Sequence, residues 1–168
     1  MAKAKAANSG LNLRNMSPYF IGVGILILLD QATKLLLAQS LALHTGKVII
    51  PGFFNLVHVH NTGGAFSIFA SAGSSWRRWV FVALAFVVVG IITYAYSKVN
   101  KADWWTRVSY TLIAGGAIGN VIDRIRMGEV IDFLDFYVGT WHWPAFNVAD
   151  IAVSTGAVML FLSLLRGK

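Results

Sequence analysis

Asp132 and Asp150 are the two side chains whose types and surroundings could do chemistry together. Asp132 lies with Asp135 in Val130-Ile131-Asp132-Phe133-Leu134-Asp135-Phe136, where acids interrupt an apolar stretch in a way a solvated loop does not. An apolar wall disfavours the ionised carboxyl and raises its pKa, whereas a helix N-terminus stabilises the anion. Asp150 has the second setting, because Asn147-x-x-Asp150 has the spacing of a capping box just ahead of an apolar run. Two nearby acids with opposed environments suit acid–base hydrolysis. The ionised acid removes a proton from water, while the protonated one polarises the scissile carbonyl and later protonates the amine, with no metal or covalent intermediate. The dipole argument makes Asp150 the base and Asp132 the acid, and a proton shared between them would make those labels nominal. Spacing alone also leaves a purely structural capping role open for Asp150.

Other polar groups offer rival chemistries. Asp30 and Lys34 are four residues apart within an apolar stretch, in the favourable acid-before-base order, which reads as a structural ion pair. Asp123, flanked by Asn120 and Arg124, is either a rival for the carboxyl pair or part of a hydrogen-bonded cluster. A serine–lysine arrangement of Ser67 and Lys34 is conceivable, but Lys34 already has Asp30 as its partner. His58-x-His60 would set two imidazoles on one strand face. Two histidines with no cysteine and no obvious third ligand make a weak metal site, so no metal is expected. The chain has no cysteine, which excludes thiol nucleophiles, disulfides and thioether anchors on it.

The elements that must hold these groups are mostly apolar. Of the 168 residues 57% are hydrophobic and 12% charged, against roughly 25% charged in soluble domains. Four runs, about 19–37, 79–96, 108–125 and 148–165, approach the roughly 20 residues needed to cross a bilayer. The predicted fold is thus an all-α membrane protein of four transmembrane helices in one domain, with a small β-rich subdomain outside at about 47–69, where β-branched and aromatic residues alternate with turn formers. Residues 1–17 read as a mobile basic tail, and Ser17-Pro18 as an N-cap with proline at the first helical position. A cleaved signal peptide is the alternative for the first run, but a charged pair inside it and three further apolar runs favour a retained helix. Gly115-x-x-x-Gly119 lets a neighbouring helix approach closely. Residues 126–147 read as a second outer loop rich in aromatics. Lys and Arg flank the spans more densely on the side of both termini, so both ends are expected in the cytoplasm. The net charge of +7 reads as headgroup anchoring rather than nucleic-acid binding.

With these motifs assembled, the sequence resembles the lipoprotein signal peptidases, the type II signal peptidases of bacteria. Five blocks carry the resemblance in order: Asp30-Gln31-Ala32-Thr33-Lys34, His60-Asn61-Thr62-Gly63-Gly64-Ala65-Phe66-Ser67, Gly115 to Arg124, Val130-Ile131-Asp132-Phe133, and Phe146-Asn147-Val148-Ala149-Asp150. The resemblance implies an intramembrane aspartyl endopeptidase of the bacterial inner membrane, active at the periplasmic face and needing no cofactor. It would cut on the amino side of the lipidated cysteine of diacylglyceryl-prolipoproteins. The catalytic pair would be Asp132 and Asp150. Asn61, Gly63 and Asn147 match substrate-site positions, Asn120, Asp123 and Arg124 would bind substrate or support the site, and Asp30 and Lys34 would be structural. The expected partners are precursor substrates and membrane lipids, with the protein acting as a monomer, and the resemblance also implies inhibition by cyclic lipopeptide antibiotics such as globomycin. A small ion- or proton-coupled transporter is the competing class, because intramembrane Asp, Lys and Asn also build ion routes. A non-catalytic membrane scaffold is the third reading.

Overall fold

A computed structural model describes residues 13–62 and 75–165. Among the described residues, four helices and four strands follow in the order α1 (Leu13–Ser40), β1 (Gly46–Ile50), β2 (Phe54–Asn61), α2 (Ser75–Lys98), α3 (Trp104–Met127), β3 (Val130–Val138), β4 (Trp141–His142) and α4 (Val148–Leu165). The helices form a bundle in which α3 packs against α1, α2 and α4. The strands form one antiparallel sheet in the order β1-β2-β3-β4.

The distribution of polarity is inverted relative to a soluble protein. Leu28, Val87 and Leu164 are 71%, 58% and 65% exposed, whereas Asp30, Lys34, Asp123 and Asn147 are 2% or less. Water would penalise such an exterior, and a hydrocarbon solvent favours it. Among the described residues three helical stretches are long and apolar enough to cross a membrane: Asn15–Ser40, Arg78–Lys98 and Val148–Leu165. The fourth predicted span corresponds to α3, which is 24 residues long but carries Arg107, Asn120, Asp123, Arg124 and Arg126. Its central place explains that composition, because its polar side chains meet neighbouring helices. Arg107 bonds the Asn15 carbonyl and the Tyr96 hydroxyl at 2.8 and 2.6 Å, and Thr106 bonds Ser163 at 2.6 Å.

Two expectations from sequence are corrected. The first helix does not start at Pro18: residues 13–17 are already helical and Pro18 lies inside α1. An interior proline loses a backbone hydrogen bond, but Met16 and Tyr19 are buried on either side of it in a cluster with Val23, Ile92, Tyr96, Ile113 and Ala114, and that packing holds the extra turn in place. The second correction concerns residues 126–147, read as a loop. They contain β3 and β4, and β3 pairs with β2 along most of its length. Residues 130–133 are buried on both faces of the strand, so the two-residue alternation that reveals a strand in sequence is absent. The expected β-rich segment at 47–69 holds β1 and β2, and its last residues, 63–69, lie outside the described residues.

Glycines set the helix spacing where the site is anchored. A Cβ on Gly115 would meet Leu26 of α1, one on Gly119 would meet the Asp30 carboxylate, and one on Gly116 would strike the Ala149 carbonyl of α4. The expected small-residue approach is therefore to α1, with a second approach, to α4, one residue along. Gly116→Ala meets backbone that no rotamer change can move, along with the Val153 side chain, and forces α3 and α4 apart, at an expected cost of about 1–3 kcal/mol. Gly90→Ala, where an added Cβ meets nothing within 4 Å, should instead raise stability by up to about 1 kcal/mol. Thermal unfolding of both variants in detergent checks the pair, and equal melting temperatures would contradict this account of the bundle.

Candidate active site

The site forms where the C-terminal parts of α1 and α3 meet β2, β3 and the start of α4. The α3 helix closes with Gly128 in the left-handed conformation at φ 86°, its N–H bonded to the Arg124 carbonyl at 3.0 Å, a conformation glycine adopts without penalty. The turn sends the chain directly into β3, which carries Asp132 back across the end of the bundle. Residue 146 then runs along the free side of β3: Leu134 and Phe146 exchange backbone bonds of 2.8 and 3.1 Å. Asn147 and the first turn of α4 are thereby brought beside Asp132.

A bulge in β2 aims the asparagines. The pairing of β2 with β3 shifts by one residue between Leu56 and Val59, which moves the residues beyond it to the opposite face. Asn55, before the bulge, donates to Asp135 at 2.8 Å, and Asn61, after it, donates to Asp132 at 3.0 Å. Without the extra residue both asparagines would share one face.

Asp132 and Asp150 are brought together through Asn147. The Asn147 side-chain N–H donates to Asp132 Oδ1 at 2.7 Å, while its backbone N–H donates to Asp150 Oδ2 at 3.2 Å. Asp150 N–H returns a bond to Asn147 Oδ1 at 3.0 Å, which completes the expected capping box. Asn120 donates to the other oxygen of Asp150 at 2.8 Å. Each of the four carboxyl oxygens thus receives an amide donor and keeps a second lone pair for water or a ligand. Capping and pairing are therefore compatible uses of Asp150.

The two carboxyls differ in setting. Asp132 is buried, Asp150 half-buried. Burial pushes the Asp132 carboxyl up to about 6; the charge of Asp150 adds to the rise, while bonds from Asn61 and Asn147 and the charge of Lys34 oppose it. A carboxyl that keeps its proton to about pH 6 can serve as a proton donor, and both carboxyls accept bonds from amide N–H groups.

Beneath the pair lies a second buried cluster. Lys34 makes the expected bond to Asp30 at 2.8 Å and also an ion pair with Asp123 at 2.7 Å. Asp30 Oδ1 accepts the Ala149 N–H at 3.0 Å, so α1 caps the start of α4. Asp123 accepts from Gln31 at 2.9 Å and faces Lys34, which sets it apart from the Asp132–Asp150 pair. No local sequence signal marks Gln31, which joins the acids of α1 and α3 by donating to both Asp30 and Asp123. Arg124 donates to the Asn120 carbonyl at 3.2 Å and lies 5.3 Å from the Phe81 ring centre. Gly63 and Ser67 lie outside the described residues. His58 and His60 bond the Leu41 carbonyl and Glu129, each at 2.9 Å.

Comparison with known proteins gives one consistent outcome. The sequence model of the family described as Signal peptidase (SPase) II matches residues 23–166. A protein of Vibrio vulnificus named lipoprotein signal peptidase is 46% identical over 145 residues, 86% of each chain. One of the same name from Vibrio cholerae is 42% identical over 164 residues, 96% of this chain and 95% of that one. Among solved structures, one described as a bacterial membrane enzyme superposes with a TM-score of 0.78 at 26% identity, covering 90% of this chain and 89% of that chain.

Proposed function

The chain belongs to the signal peptidase II family, and on that premise we propose that it is an aspartyl endopeptidase in which Asp132 and Asp150 hydrolyse the signal peptide from diacylglyceryl-modified prolipoproteins, on the amino side of the lipidated cysteine. It is a multi-pass bacterial membrane protein. The single observation that carries the aspartyl reading is the bridging of the two carboxyls by Asn147.

In the proposed reaction a water held by the pair attacks the peptide carbonyl carbon and gives its proton to ionised Asp150. Protonated Asp132 donates to the carbonyl oxygen. Collapse of the tetrahedral diol breaks the C–N bond as Asp150 passes the water's proton to the leaving amine and a diol hydroxyl returns a proton to Asp132, so the pair ends singly protonated as it began. Asn61, Asn120 and Asn147 hold the carboxyls in register, Gly63 and Arg124 belong to the substrate side, and Asp123, Asp30 and Lys34 support the site from below.

The same reading makes the chain one integral domain, a monomer in the bacterial inner membrane, with α3 as its fourth span and both termini in the cytoplasm. The carboxyls then lie at the periplasmic face. Two acyl chains on the substrate would confine the scissile bond to that depth, and the sheet offers a platform for an extended peptide.

Purified protein supplied with a diacylated precursor peptide and with its unlipidated form tests this reading. Cleavage of the lipidated peptide should exceed that of the other by about a hundredfold or more in kcat/KM, since each buried methylene contributes about 0.8 kcal/mol. Equal rates, or cleavage anywhere but before the modified cysteine, would overturn it. Because Asp132 retains its proton only up to about pH 6, kcat/KM should fall by about tenfold per unit well above that pH. A flat profile to alkaline pH would show that this proton is not used.

A further inference from the structure

Lys34 reaches past its ion pairs. Its ammonium donates to the side-chain oxygen of Asn120 at 3.1 Å, and the same oxygen accepts from Asn147 at 3.2 Å. An ammonium can only donate, and an amide presents an acceptor on one side and donors on the other. In the flipped orientation the Asn120 N–H₂ group would face an ammonium and another amide N–H₂, three donors with no acceptor. The observed orientation leaves the N–H₂ group only toward Asp150, which it meets at 2.8 Å. Asn147 is bound into the same order, because its oxygen accepts from Asp150 N–H and its N–H₂ turns to Asp132.

We propose that Lys34 is a positioning residue for hydrolysis: by holding the Asn120 amide in one orientation from below, it fixes the donors that set the geometry of the Asp132–Asp150 pair. The inference rests on the carboxyl-pair reading above and extends it to a residue that touches neither carboxyl of the pair. The groups facing Lys34 are Asp30 of its own helix and Asp123 and Asn120 of α3. Those facing Asp132 are Asn61 of β2, Asn147, Asp150 of α4, and the charges of Lys34 and Arg124. Lys34 opposes the rise in the Asp132 pKa, so removing it raises that pKa further and moves the Asp132-governed limb of the pH–rate profile to higher pH.

The full-length protein in detergent, cleaving a diacylated precursor peptide, supplies the test. Lys34→Met leaves two buried carboxylates unpaired, and the double variant Lys34→Met/Asp123→Asn relieves half of that charge. Asn120→Ala keeps both ion pairs and removes the relay together with its own donor to Asp150. Each folded variant should lose about 10- to 100-fold in kcat, the loss typical when an outer partner of a reacting group is removed, with little change in KM, and the lysine variants should show the shifted limb. A lysine that serves folding alone predicts fewer folded molecules with kcat per folded molecule and pH profile unchanged, and that result overturns the proposal. If neither lysine variant folds, wild-type kcat in Asn120→Ala overturns it. Failure of the carboxyl-pair reading is distinguishable, because Asp132→Asn would then cleave as the wild type does.

Discussion

Asp132→Asn and Asp150→Asn are each expected to lower kcat for a diacylated precursor by about 10²- to 10⁴-fold, the range attributed to a positioned acid or base. The two losses arise from one machine, so the double variant should be little worse than either single one. Folding should survive in both. An amide matches the carboxyl in shape, and at Asp132 it removes a buried charge that lies close to Asp150. The bonds at these positions come from amide N–H groups of Asn61, Asn120 and Asn147, and the replacement oxygen can still accept one of them. Single-turnover cleavage separates the chemical step from product release, and melting temperature monitors the fold. Wild-type kcat in either variant would remove that residue from the reaction, whatever the family resemblance implies.

Asp30→Ala should have the largest effect on stability, a loss of about 3–5 kcal/mol, as when one partner of a buried ion pair is deleted. Three interactions go at once: the pair with Lys34 at 2.8 Å and the bonds accepted from the Ala149 N–H at 3.0 Å and from Gln31 at 3.2 Å. The Ala149 N–H lies at the buried start of α4, where no helical partner exists for it, and the alanine offers none. Asp30→Asn keeps an acceptor for that N–H and should fall in between. By contrast Glu129→Gln, which weakens the partly exposed contact with His60, should change stability by less than about 1 kcal/mol. Thermal unfolding in one detergent ranks the three, and an Asp30→Ala melting temperature equal to that of Glu129→Gln would contradict the role assigned to this anchor.

The contrast between those two acids reflects where each charge sits. Asp30 is 1% exposed and enclosed by helices, so its partners rather than solvent decide whether the bundle closes. Glu129 can exchange His60 for water at little cost. The same distinction separates the Lys34 cluster from the basic residues at the helix ends.

Features set by neighbours along the chain were legible in the amino-acid sequence. The bounds of α4, Val148–Leu165, coincide with the predicted run, because its capping box lies within four residues and its apolar stretch is unbroken. The Asp30–Lys34 pair was legible for the same reason, one helical turn being a local distance. So was the apolar character of α1 and α2. Features that join distant segments were not. Lys34 meets Asp123 across 89 positions of sequence, and its ammonium orders Asn120. The sequence of β3 reads as loop, since burial on both faces erases alternation, and Pro18 reads as a helix start because the local rule does not register the packing of Met16 and Tyr19. The pairing of Asp132 with Asp150, 18 residues apart, is an expectation from their residue types, their local surroundings and the family resemblance. Their meeting depends on a left-handed turn at Gly128, a one-residue bulge in β2 and the run of residue 146 along β3. Residue type and short spacing determine which groups can react and which helices can form. Only long-range packing decides which of those groups share a water, because that depends on contacts between segments that the order of residues does not bring together.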